Sequence, residues 1–135
     1  MATGVIRHGI YSYFTAATTS ALYADLGGTR LYYSEAPEKI TKPYCVFHLF
    51  QEKRSFTFDL NFEEVLVQFN YYGRTANEAD DGVIDIKTLY DYAIITISGH
   101  TTLKMEREYV FDSEIIEPDN IWEGSVRYNL LIQKN

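Results

Sequence analysis

The residues that could carry chemistry here are three histidines, one cysteine and a set of acids. Their spacing limits what they can do. His8 lies at the start of a helical pattern, His48 in an apolar run and His100 beside Gly99. No nucleophile, base and orienting acid can be assigned around any of them. Cys45 is the only cysteine, which excludes an internal disulfide framework and a cysteine-based zinc site. Its apolar neighbours fit a small core side chain better than a nucleophile. Glu78, Asp81 and Asp85 recur at three and four residues, so one helix face carries all three. Carboxylate oxygens in such a row could take a hard cation. A charged stripe opposite an apolar one is also what any surface helix shows. Glu78, Asp80 and Asp81 further suit the positive end of a helix dipole. A solvated face is therefore the expected reading. Gly27-Gly28 and Gly73 belong to no phosphate-cradling pattern, neither GxGxxG nor GxxxxGK. No catalytic residue, cofactor site or metal site is expected.

The elements that would position these groups are clearer. Val65, Val67, Phe69 and Tyr71 alternate with Leu66, Gln68, Asn70 and Tyr72, the period of a strand. Gly73 breaks the pattern. Thr75 and Glu78 then have the spacing of a capping box, and Ala79, Val83, Ile86, Tyr90 and Ala93 fall on one helical face. A strand feeding a helix through so short a turn must pack helix against sheet. Upstream, Ile6, Ile10, Tyr13, Phe14 and Ala17 predict a first helix over Gly4 to Ala17, with Thr3 placed to cap it. Ala21 to Leu26 adds a further turn of helix that Gly27-Gly28 ends. Arg30 to Ser34 reads as a short strand. A loop follows, bracketed by Pro37 and Pro43. Tyr44 to Gln51 is nearly continuously apolar and is expected as a central strand covered on both faces.

Phe56, Phe58, Leu60 and Phe62 alternate with Thr57, Asp59 and Asn61, a half-buried strand or one arm of a projecting hairpin. Downstream, Leu103, Met105, Tyr109 and Phe111 alternate with Lys104, Glu106, Glu108 and Asp112, interrupted by Arg107. Ser113 to Gly124 holds Pro118 and Trp122 and shows no strand alternation of its own, and Val126 to Ile132 reads as a final strand. The whole chain, 1–135, reads as one α+β domain. Its mostly antiparallel (mixed) sheet has four to five strands, with two helices packed on one face.

Composition narrows the function classes. The chain is 46% hydrophobic and 16% aromatic, with twelve tyrosines. That excludes a disordered tail and suits half-buried strand faces and protein interfaces. A formal net charge of −7 repels nucleic acid rather than gripping it. Lys53, Arg54 and Phe56 are too sparse for a stacking platform. No stretch has the length and apolarity of a membrane span, and no secretory h-region opens the sequence, so a soluble intracellular protein is expected.

The order of these signals resembles the tail-terminator (tail-completion) proteins of long-tailed bacteriophages. The resemblance is carried by Ala36-Pro37, Pro43-Tyr44, Val67-Gln68 through Thr75, and Trp122 through Ile132. It covers nearly the whole chain through order and spacing rather than any single motif. The Phe56 to Phe62 stretch and the acid-rich Glu106 to Glu114 do not match it position by position. The resemblance implies a structural, non-enzymatic virion protein without cofactors. Such a protein forms a homo-oligomeric ring, typically a hexamer, at the head-proximal end of the tail. It stops polymerisation of the major tail-tube protein and docks to a head connector or neck protein. DNA passes through the hole without specific binding, and no membrane takes part. The implied location is the virion, with assembly in the host cytoplasm. On that reading Phe56, Phe58, Leu60 and Phe62 are candidates for the contact between subunits, and Glu106, Glu108 and Asp112 for the wall of the hole. Two other readings stay open, a head-side connector or neck protein and a small α+β ligand-binding domain or enzyme.

Overall fold

The structure, a computed structural model, describes residues 3–51, 62–116 and 121–135. Its elements run α1 (Thr3–Ala16), α2 (Ala21–Leu26), β1 (Leu31–Tyr33), β2 (Tyr44–Gln51), β3 (Phe62–Gly73), α3 (Ala76–Tyr90), β4 (His100–Ile116) and β5 (Ile121–Lys134). The five strands make one mixed sheet in the order β1-β2-β3-β5-β4. β1 is parallel to β2, and the other neighbours are antiparallel. This is the expected α+β architecture, with the turn of helix after the first one standing as a separate α2. The central strand is β3, not β2. β2 lies between β1 and β3, and its far end is not covered on both faces, since Phe50 is 45% exposed.

β3 builds the core because its alternation matches the helices laid against it. Val65, Val67, Phe69 and Tyr71 are all buried beneath them. Phe69 stacks on Tyr90 of α3, with ring centres 4.5 Å apart, and meets the edge of Tyr128 at 5.9 Å. Such pairs add about 0.5–1.5 kcal/mol beyond the area they bury. The Tyr90 hydroxyl donates to the Ile10 carbonyl at 2.9 Å, tying α3 to α1. Ile6, Ile10 and Phe14 of α1 and Leu22 and Leu26 of α2 complete the same cluster.

Two close approaches set the distance between α3 and the sheet. A Cβ on Gly82 would stand 2.3 Å from the Tyr71 ring, and one on Gly124 would stand 2.5 Å from Val83. The turn into α3 follows the sequence in part. Thr75 is the N-cap, its hydroxyl accepting from the Glu78 N–H at 3.1 Å. Glu78 reaches one residue beyond the capping-box position. It accepts from the Arg74 N–H at 3.0 Å and pairs with the Arg74 guanidinium at 2.8 Å. The hydrogen bond from Arg74 holds the Glu78 carboxyl below its ordinary range.

The last two strands depart most from expectation. Ser113 to Gly124 is largely strand: β4 continues through Ile116, β5 begins at Ile121, and Trp122 pairs with both Gly73 and Ile115. Pairing on both sides overrides the weak local strand signal of Glu123, Gly124 and Ser125. The register of β4 also shifts three times, between Thr102 and Lys104, Arg107 and Tyr109, and Phe111 and Glu114. Each shift leaves an extra residue on β4 and resets its alternation. Met105 therefore faces the core opposite Leu130, whereas Tyr109 and Phe111 face away from it. Among the described residues, no helix is long and apolar enough to cross a membrane.

Candidate functional site

No described helix covers the second face of the sheet, and a row of side chains crosses it from strand to strand. His48, Gln68, Arg127 and Tyr109 are successive partners on β2, β3, β5 and β4. Gln68 Oε1 accepts from Arg127 Nη2 at 2.6 Å and from Nε at 3.1 Å. The Arg127 guanidinium also lies 5.8 Å from the Phe50 ring centre and 5.9 Å from that of Tyr109, within cation–π range. Behind it, Asn70 Oδ1 accepts from Gln68 Nε2 at 3.0 Å and from Ser125 Oγ at 2.8 Å. The result is a hydrogen-bonded polar ladder flanked by aromatic rings. It brings no nucleophile to a base.

The outer half of β4 is exposed on both faces: Tyr109 at 55%, Phe111 at 47%, Val110 at 42% and Ile115 at 38%. Sequence reading placed Tyr109 and Phe111 with Met105 and so missed them as surface. The available signal was the unbroken Tyr109-Val110-Phe111 triplet, which no one-sided strand requires.

The expected interface residues divide. Phe56, Phe58 and Leu60 lie outside the described residues, and Phe62 opens β3 half-buried opposite Gln133. Of the expected pore acids, Glu106 pairs with Lys104 at 2.9 Å, and Glu108 is exposed at the second register shift. Asp112 falls at the third shift on β4.

Of the helical acids, Asp81 is exposed and Glu78 partly so, as a solvated face requires, but Asp85 departs. Asp85 is not on a solvated face; it is 8% exposed, because α2 packs on that side of α3 and brings Asp25 against it. Burial, then Asp25, raises the Asp85 carboxyl to about 7, and its Oδ2 has no hydrogen-bond partner. Among the described residues, no group of His, Cys, Asp or Glu is arranged to hold a metal ion.

The histidines stay apart, His8 on α1, His48 on β2 and His100 at the start of β4. Cys45 is fully buried, and its thiol is pushed well up by that burial. Tyr44 and Tyr72 stack at 4.9 Å beside the 34–40 loop. Burial first, then Glu123, pushes Tyr72 to about 12, so both phenols stay neutral.

The fold has counterparts among solved structures. A chain from the "Virion of native gene transfer agent (GTA) particle" superposes with a TM-score of 0.81 at 13% identity, over 97% of this chain and 96% of that one. A second solved chain superposes with a TM-score of 0.61, also at 13% identity, over 96% of each. At that identity the likeness is one of fold. No protein-family model and no curated protein matches the chain.

Proposed function

We propose that this chain is a structural virion protein that forms a ring, a hexamer on the family resemblance. The ring caps the head-proximal end of a phage-type tail tube, stops tube growth and offers a docking surface to the neck. The observation that carries the reading is the full-length fold match to a chain of a gene transfer agent virion. The surface supports it independently. The aromatic rings exposed along β4 are costly for a free monomer and useful at a subunit contact. The acidic chain, with Glu106, Glu108 and Asp112 along one edge strand, repels phosphate and so suits a passage through which DNA slides.

Tube assembly tests this reading. The major tail-tube protein of the same tail, polymerised alone, should give tubes of open-ended length. Adding this chain should shorten them and leave a ring on one end in electron micrographs. Tubes of unchanged length with bare ends would refute a terminator role. Binding to a head connector without any effect on tubes would instead favour the neck protein.

A further inference from the structure

The sheet ends in two unlike edges that complement each other. At one edge, the outer half of β4 presents the Tyr109 and Phe111 rings, 6.0 Å apart, with Glu108 alongside. At the other edge, α1 and β1 frame a groove of about 310 Å³ whose lining includes Arg7, His8, Tyr11, Tyr32 and Tyr33. The Arg7 guanidinium lies 5.2 Å from the centre of the Tyr33 ring, so one wall offers aromatic surface and positive charge together.

We propose that the outer half of β4 of one copy seats in the α1–β1 groove of the next. The Tyr109 and Phe111 rings enter beside Tyr11 and Tyr33, and Glu108 lies near Arg7. This rests on the ring reading above and names the two surfaces that make the ring.

Three observations favour a second copy as the occupant. A ring needs a heterologous contact, in which each subunit uses two different surfaces that face away from each other. β4 and β1 are the two edges of one five-stranded sheet, about 19 Å apart at ordinary strand spacing. The charges also match. The 104–116 stretch carries Glu106, Glu108, Asp112 and Glu114 against Lys104 and Arg107, whereas the groove carries Arg7. Finally, β1 has only three residues, too short to extend the sheet over the length of β4. Seating of rings in the groove is therefore the contact this edge can make. It also shields β4 from open-ended pairing.

Short bismaleimide bridging tests the contact. Chains carrying His8→Cys are mixed with chains carrying Val110→Cys in the presence of tail-tube protein; both positions are exposed beside the contact and leave its rings and Arg7 in place. Cys45 is fully buried and does not compete. The mixture should give covalent dimers that neither variant gives alone, and a chain carrying both substitutions should give a ladder ending at the ring. Arg7→Glu, a change at an exposed position, should reduce ring yield in native mass spectra at least tenfold. Wild-type rings without 8–110 bridging would overturn this contact and leave the ring reading standing. Wild-type chains that never form rings with tube protein would overturn both.

Discussion

β3 and β4 carry similar aromatic residues and meet opposite fates. Phe69 and Tyr71 on β3 are 0% and 1% exposed, while Tyr109 and Phe111 on β4 are 55% and 47% exposed. Hydrophobic content does not separate them. Neighbours do: β3 has a strand on each side and three helices over one face, whereas β4 has one strand beside it and no described neighbour beyond. The bulges of β4 then turn its rings away from the face that the described helices cover. One strand is built to fold the chain, and on the proposed function the other is left for assembly. If that division is correct, damage to the first should cost stability, and damage to the second should cost only association.

Tyr90→Ala should have the largest effect. It removes the ring on which Phe69 stacks and the hydroxyl that holds α1, at a cost of about 3–5 kcal/mol in urea unfolding. Gly82→Ala comes next, at about 1–3 kcal/mol, because its methyl would overlap the buried Tyr71 ring. The gain in helix propensity, below about 1 kcal/mol, does not offset that. Thr75→Ala should cost about 1 kcal/mol through loss of the α3 cap.

A pH test sharpens the account of α2. Asp85 keeps a proton in the folded state up to about 7, whereas an unfolded aspartate releases it near its ordinary value, about 3.9. Stability should therefore fall as pH rises across that window, then level off. Asp85→Asn should flatten that fall and unfold at a higher urea midpoint than wild type at pH 8. Equal slopes for the two proteins would remove the buried carboxyl from the account. The smallest stability effect belongs to Phe111→Ser, within about 0.5 kcal/mol of wild type, since the ring is exposed. The same change should abolish ring formation.

The contrast also explains what the sequence could reveal. The β3–α3 unit was legible because pattern and burial agree over a continuous stretch: alternating Val65 to Tyr71, Gly73, the Thr75 cap, then a helical face. The two ends of the fold were less legible. Bulges along β4 break the period on which strand reading depends, so Tyr109 and Phe111 were assigned to the wrong face. Asp85 looks like its solvated neighbours until α2 is placed over it, and that contact is tertiary. The groove lined by Arg7 and Tyr33 joins α1 to β1, residues whose meeting no spacing rule predicts. Phe62 was placed on a strand, as the structure has it, but its role depends on a partner.

The central claim is that this chain exists to be repeated around an axis. Native mass spectrometry of the purified full chain, with and without tail-tube protein, tests it most directly. The account predicts one closed stoichiometry, a hexamer, with no ladder of larger species. Monomer under every condition, or an open series without a preferred size, would contradict it.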